Sequence, residues 1–160
     1  MNILGIDPGL GTTGYGVIMS ANNKVELIDY GTIKTSTKDT LAKRLKIIFD
    51  NISNLIDIHE PSVFSIEEIF YSNNVKSSLL LGHARGVAMA AASIKNIMIY
   101  EYSAKKVKQS LTGNGNAHKD QVKFMVKNLL KLNVPPKSND ASDALAIGLC
   151  YTFQNKLEDL

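Results

Sequence analysis

Four carboxylates lie beside apolar segments of this chain, at positions where a negative charge needs compensation. Asp7 ends the apolar run of residues 3–7, and Glu67 ends the run of residues 63–67. Asp140 and Asp143 open a segment with the composition of a buried helix. Desolvating a carboxylate is costly unless a cation stands beside it. Because hard ions prefer oxygen ligands, the four acids indicate a site for a metal such as Mg²⁺.

The spacing of the acids leaves alternatives open. Asp140 and Asp143 are three residues apart and would share one face of a helix, although Asp140 alone could instead cap the helix N-terminus. Glu67 and Glu68 are adjacent on a predicted strand, so their side chains would point to opposite faces. Periodicity does not decide which of the two enters the site, and either could be a solvated strand end.

The positive charge of the chain is concentrated in its second half. Residues 95–137 contain nine lysines and only two acids, for a net charge of +7, whereas the whole chain carries +3. A basic zone beside an acidic cluster suits a polyanionic substrate held near a metal. The alternative is a set of ordinary solvated helix faces.

Apolar patterning predicts the elements that position these groups. The predicted strands cover residues 2–7, 14–19, 24–34, 62–67 and 97–101. The predicted helices cover residues 38–58, 75–95, 103–111, 118–131 and about 139–154. We expect Ser36 or Thr37 to cap the first helix and Ser103 to open the third. Three consecutive strands followed by alternating helices and strands predict an α/β fold, with a mixed sheet and helices on both faces.

Glycines follow Asp7 in a pattern that resembles a dinucleotide-binding loop. Residues 9–14 match G-x-G-x-x-G, but that fingerprint requires a helix after the glycines. Here residues 14–19 predict a strand. The glycines therefore indicate a hairpin turn that lets a polyanion approach Asp7.

Length and composition predict one soluble domain. A chain of 160 residues, 44% hydrophobic and 21% charged, can bury a real core. Cys150 is the only cysteine, which excludes an intramolecular disulfide and fits a reducing compartment. Neither a signal peptide nor a membrane-spanning stretch is evident, so we expect a cytoplasmic protein. We treat residues 1–160 as one domain, with a loose tail from about residue 153.

Five motifs in order resemble the RuvC family of bacterial Holliday junction resolvases, over nearly the whole chain. They are residues 5–9 with 13–16, residues 66–70, residues 81–87, residues 107–109 with 113–122, and residues 140–146. The resemblance selects Glu67 over Glu68. It implies a ribonuclease H-like fold with a five-stranded sheet, a homodimer, and paired nicks in a four-way DNA junction that leave 5′-phosphate and 3′-hydroxyl ends. It also implies a partnership with the RuvAB branch-migration motor and a preference for cutting beside paired thymines.

The residues themselves are compatible with this chemistry. Two Mg²⁺ ions about 4 Å apart, or Mn²⁺ in their place, can activate a water and stabilise a leaving 3′-oxygen. We assign Asp7 to both ions, Glu67 to one, and Asp140 with Asp143 to the other. Lys119 would neutralise charge on the phosphate. The predicted DNA contacts are Phe70, Tyr71, Asn74, Arg85, Lys105, Lys106, Lys108, Lys119 and Lys123, with the two aromatic rings stacking on loosened bases.

Two other functions remain open on sequence grounds. Residues 7–12 also resemble the phosphate loop of actin-like sugar kinases, but those enzymes close two domains around ATP and this chain has no second lobe. The other alternative is a silent junction-binding module, or a nuclease that acts on other nucleic acids. The presence of all four acids favours an active enzyme.

Overall fold

The computed structural model describes residues 1–22, 24–69 and 74–158, with side chains up to residue 155. In these ranges the chain forms five strands and five helices. The strands are β1 (Asn2–Asp7), β2 (Thr12–Ala21), β3 (Lys24–Lys34), β4 (Val63–Glu67) and β5 (Met98–Tyr102). The helices are α1 (Leu41–His59), α2 (Val75–Ile94), α3 (Ala104–Thr112), α4 (Lys119–Leu129) and α5 (Asn139–Glu158). Of these helices, none is long and apolar enough to cross a membrane.

The sheet is mixed, as predicted. Its strand order is β3-β2-β1-β4-β5, with β1 antiparallel to β2 and parallel to β4. Because β1 and β4 run in the same direction, their carboxyl ends meet at one edge of the sheet. Asp7 and Glu67 are the last residues of these two strands, so the topology brings both acids to that edge.

Helices cover both faces of the sheet, and alternation along the strands divides the core accordingly. Ile3 of β1 packs in the cluster that includes α3, α4 and α5. Leu4, its neighbour in β1, packs in the cluster that includes α1 and α2. This is the period-two arrangement of a strand buried on both sides.

Glycines in β1 and β2 let α5 lie directly on the sheet. A Cβ atom on Gly5 would stand 2.2 Å from the carbonyl oxygen of Ala144, and one on Gly14 would stand 2.0 Å from that of Asp140. Such distances are shorter than any real contact allows. The N-terminal part of α5, which carries Asp140 and Asp143, is thereby held against the strands that border Asp7.

The start of α1 and the end of α5 are among the boundaries that differ from the sequence prediction. The cap of α1 is Thr40, whose side chain accepts a hydrogen bond from the Lys43 amide, so the prediction of Ser36 or Thr37 was wrong. Ser36 instead accepts from the Lys38 amide within the preceding turn. The prediction of Ser103 for α3 is confirmed. α5 continues to Glu158 where a loose tail was expected, because Phe153 still packs against the core.

Candidate active site

Asp7 and Glu67 project from the end of the sheet toward α5. Ser65, two residues before Glu67, donates its hydroxyl to the Ile147 carbonyl of α5 at 3.0 Å. Since side chains two residues apart share a face of a strand, Glu67 also lies on the α5 side. Glu67 is half-buried and hydrogen-bonded to Asp7, whereas Glu68 is exposed. The structure therefore places Glu67, and not Glu68, beside Asp7.

The two α5 acids lie close enough to Asp7 to act on its charge. Asp140 and Asp143 are half-buried, and both raise the pKa of Asp7 through their charges. The alternative that Asp140 caps the helix does not hold, because the Ala141 amide donates to the hydroxyl of Ser138 at 3.4 Å. Ser138 thus has the capping role, which leaves the Asp140 carboxylate available beside Asp7.

Burial and like charge act together on Asp7. Loss of water is the main cause, and the charges of three acidic neighbours are the next. Together they raise the pKa of the Asp7 carboxyl group from the ordinary 3.8 to about 8. Desolvation also raises the pKa of Glu67, followed by the charge of Asp143. With a pKa of about 8, the carboxyl group of Asp7 holds a proton at neutral pH unless positive charge enters the site.

Lys119 supplies part of that positive charge. It is the first residue of α4, and its ammonium group lies 2.7 Å from a carboxylate oxygen of Asp143. The hydrogen bond to Asp143 raises the pKa of Lys119, so the group stays charged. Half of the Lys119 side chain remains exposed, which leaves it free to meet an incoming anion.

A cleft of about 310 Å³ opens beside these residues. Glu67 and Asp143 line it together with Lys108 and Lys119, and apolar side chains of α3, α4 and α5 form its floor. A lining that combines acids with lysines suits a substrate that carries phosphates. The cleft lies against the same edge of the sheet as Asp7.

The acids fit a divalent cation by the chemistry of their donor atoms. Among residues 1–22, 24–69 and 74–158, no three Asp, Glu, His or Cys side chains already stand as one group of ligands. Instead, the Lys119 ammonium pairs with Asp143, and the raised pKa of Asp7 leaves a proton on its carboxyl group. A divalent ion can replace both of these compensating charges. Carboxylate oxygens are the ligands that Mg²⁺ and Mn²⁺ prefer.

Comparison with known proteins decides the family. The family model described as "Crossover junction endodeoxyribonuclease RuvC" matches residues 3–151. This chain belongs to the RuvC family. A RuvC of Legionella pneumophila is 51% identical over 159 residues, which are 99% of this chain and 91% of the relative. Nucleases of the RuvC family are metal-dependent, in keeping with the acidic pocket.

Solved structures of RuvC proteins share the fold. The Thermus thermophilus RuvC structure has a TM-score of 0.91 and 30% identity, and covers 99% of this chain and 97% of its own. The structure of T. thermophilus RuvC in complex with Holliday junction substrate has a TM-score of 0.90 and 28% identity, with coverages of 98% and 96%. The predicted fold class, a ribonuclease H-like five-stranded sheet, is confirmed by these matches.

Arg85 has a role that sequence reasoning missed. We predicted a DNA contact, but its Nε atom donates to the carbonyl of Glu67 at 3.0 Å and its guanidinium pairs with Glu101. These two contacts connect α2 to the ends of β4 and β5, next to the site residue Glu67. The sequence held no signal for this role, because both partners of Arg85 are distant from it along the chain.

The other predicted DNA contacts occupy different surroundings. Lys105 and Lys106 are exposed on α3, and Lys108 lines the cleft. Asn74 caps α2 by accepting a hydrogen bond from the Ser77 amide at 3.1 Å. The Lys123 ammonium donates to the Asn139 side chain. Phe70 and Tyr71 lie outside the described residues, so their contacts stay predictions.

Proposed function

We propose that this chain is a structure-specific endonuclease that resolves four-way DNA junctions by paired, symmetric nicks during recombination and repair. The observation that carries the proposal is the convergence of three acids and a lysine on Asp7, whose pKa is raised by loss of water and then by the charges of those acids. Membership of the RuvC family supplies the reaction class. The family relationship also favours a nuclease over the kinase and the silent binding module.

The proposed metal site contains two Mg²⁺ ions, with Mn²⁺ as a substitute. Asp7 would contact both ions, Glu67 one of them, and Asp140 with Asp143 the other. Bound divalent ions supply an activated water and stabilisation of the leaving oxygen. In their presence the carboxyl group of Asp7 would be ionised, because nearby positive charge lowers the pKa of an acid.

The residues of the chain itself orient and neutralise the DNA strand. Lys119 stands at the mouth of the cleft with half of its side chain exposed, where it can pair with the phosphate that is cut. Release of the 3′-oxygen leaves a 3′-hydroxyl on one fragment and a 5′-phosphate on the other. Such ends can be ligated without further processing, which suits resolution of recombining DNA.

The junction is proposed as the substrate because a related protein was solved with one. The T. thermophilus complex contains a Holliday junction substrate. In this chain, exposed lysines of α3 and the cleft lysine Lys108 would contact the phosphates of the junction arms. Phe70 and Tyr71 would stack on bases at the crossover. A cut beside paired thymines would follow the family preference.

The proposed assembly is a homodimer that acts with RuvAB in the bacterial cytoplasm, each subunit being a single nuclease domain of residues 1–160. Support for the dimer comes from α2, whose outer face is exposed and apolar at Val75 and Leu79. Gly82 and Gly86 extend that face, and both have open space where a Cβ would stand. The buried small residues of α2 are alanines, so these glycines are free for close contact with a partner.

End-group analysis of the products tests the proposed chemistry. A mobile four-way junction is labelled on each strand in turn and incubated with the protein and Mg²⁺. We expect nicks at symmetric positions in two strands of like polarity, and expect DNA ligase alone to reseal them. Nicks that need a kinase before ligation would contradict a 5′-phosphate product, and unpaired nicks would contradict the dimer.

A further inference from the structure

The turn that follows Asp7 is held by two threonine hydroxyl groups, one on each side. On the inner side, the buried Thr13 donates to the Gly9 carbonyl at 2.7 Å and accepts from the Gly9 amide at 3.3 Å. On the outer side, Thr35 bonds to the next two residues of the turn. Its amide donates to the Gly11 carbonyl at 3.0 Å, and its hydroxyl donates to the Leu10 carbonyl at 2.5 Å.

Arg44 of α1 completes the outer contact. Its Nε atom donates to the hydroxyl oxygen of Thr35 at 2.8 Å. A hydroxyl has a single hydrogen to donate, and an N–H bond on its oxygen leaves that hydrogen directed at the Leu10 carbonyl. Arg44 is half-buried and forms no ion pair with the described part of the chain. Its fixed contact is therefore with Thr35, and not with an acid.

The turn has little freedom to absorb a shift. A Cβ atom on Gly9 would stand 2.2 Å from the carbonyl oxygen of Thr12, so the two ends of the turn are in close contact. Leu10 is buried in the α1 and α2 cluster. A displacement of residues 8–11 is consequently transmitted along the backbone to Asp7, the last residue of β1. Displacements of about 1 Å at a catalytic group are enough to reduce rates a hundredfold.

We propose that Thr35 and Arg44 are positioning residues for the cleavage reaction, which hold the turn of residues 8–11 and, through it, the Asp7 carboxylate. Neither residue touches the reacting groups. The inference rests on the proposed nuclease function, because it assigns a role toward the same metal site. Arg44 belongs to α1, which packs on the face of the sheet opposite α5. The proposal therefore includes α1 among the elements that set the geometry of the metal site.

Variants of Thr35 separate the hydroxyl from the shape of the side chain. Thr35→Val keeps the shape and removes both side-chain bonds, whereas Thr35→Ser keeps the hydroxyl. Thr37→Val is the matched control, because Thr37 is exposed in the same loop. Three quantities are measured for each variant: the single-turnover cleavage rate at saturating junction, the junction Kd in EDTA, and the Mn²⁺ Kd of the free protein by calorimetry.

We expect Thr35→Val to lower the cleavage rate at least tenfold and to weaken Mn²⁺ binding several-fold, while the junction Kd changes less than twofold. Thr35→Ser and Thr37→Val should match the wild type in all three. Arg44→Gln should behave as Thr35→Val does, and carries the test if the valine variant does not fold. A wild-type rate and Mn²⁺ affinity in both Thr35→Val and Arg44→Gln would overturn the proposal.

A direct DNA contact by Arg44 gives a different pattern. In that case Arg44→Gln would weaken junction binding in EDTA, Thr35→Val would leave all three quantities unchanged, and the positioning role would be rejected. The Mn²⁺ measurement also separates this proposal from the nuclease assignment. A wild-type protein that leaves junctions intact would refute the nuclease function, whereas a wild-type cleavage rate and Mn²⁺ affinity in both Thr35→Val and Arg44→Gln would refute the positioning role alone.

Discussion

Asp7 combines burial with like charge more strongly than any other group for which a shift is resolved in the described chain. Its pKa of about 8 in the folded protein lies far above the ordinary value of 3.8. Between these two values the folded protein holds a proton that the unfolded chain has released. The free energy of unfolding therefore falls as pH rises through this window, and is unaffected by Asp7 below it. The cluster of acids therefore lowers the stability of the metal-free protein. Binding of a metal ion to the folded state would raise that stability again.

This cost predicts that Asp7→Asn stabilises the metal-free protein. An amide carries no charge to desolvate, so the gain should grow from pH 5 to pH 8 and reach roughly 1–3 kcal/mol at the upper end, from about 1.4 kcal/mol per pKa unit discounted for coupling among the acids. Thermal unfolding in EDTA at both pH values measures it. A gain in stability that is constant with pH, or a loss at pH 8, would show that ionisation of Asp7 does not destabilise the folded protein.

The same substitution should abolish cleavage while junction binding persists. Asparagine keeps the size of the side chain but removes the charge that holds the ions, so we expect a rate at least a thousandfold lower with an unchanged Kd in EDTA. The measurements are a cleavage time course with Mg²⁺ and a gel-shift titration. Asp50→Asn, on the exposed face of α1, is the control that should cleave normally. Retained cleavage by Asp7→Asn would refute its role as a shared metal ligand.

At the scale of elements, local patterns predicted the strands and helices but not how they meet. Alternation and helical spacing in the sequence identified β1, β4 and α5, and the acids at their ends. Glu67 and Glu68 were indistinguishable by periodicity, because only the contact of Ser65 with α5 shows which face looks toward the pocket. The roles of Arg85 and Thr35 were unpredictable from spacing, since each bonds to a backbone carbonyl distant in sequence.

Close packing of α5 on the sheet leads to a prediction about Gly14. Gly14→Ala places a methyl group 2.0 Å from the Asp140 carbonyl oxygen, so α5 must move away from β2. We expect a loss of about 1–3 kcal/mol in stability, as for overpacked cores, and a large loss of cleavage because Asp140 and Asp143 move relative to Asp7. Denaturant titration and the cleavage assay measure the two effects.

Asn54→Ala is the control for Gly14→Ala. Asn54 is exposed on α1, which packs on the face of the sheet opposite α5. Alanine should leave cleavage intact and stabilise the protein by roughly 0.5 kcal/mol through helix propensity. Equal effects of the two substitutions would mean that the contact between α5 and β2 does not set the position of the acids.

At the scale of the whole molecule, the charge asymmetry seen in the sequence is only partly available to DNA. Of the lysines in residues 95–137, Lys95 pairs with Asp57 and Lys119 pairs with Asp143. Lys105 and Lys106 remain exposed on α3, on the same side of the sheet as the cleft. The sum over the segment therefore overstates the free positive charge, and the exposed α3 lysines are candidates for phosphate contacts near the cleft.

These contacts should appear in the salt dependence of junction binding. Replacing Lys105 and Lys106 by glutamine should weaken binding and reduce the slope of log K against log salt by about 1–2, since each phosphate contact contributes close to one unit. Titrations in EDTA at several salt concentrations measure the slope. Lys46→Gln, on α1 and paired with Asp50, is the control. An unchanged slope in the double variant would place the DNA on another surface.

The central claim is that the four acids form a metal-dependent site for cutting four-way junctions. The most direct test is incision of a synthetic four-way junction with a mobile core, beside a linear duplex of the same sequence, with Mg²⁺ and with EDTA. We predict symmetric nicks in the junction only, and only when Mg²⁺ is present. Junction binding without nicks in any divalent metal, or equal cutting of the linear duplex, would contradict the account.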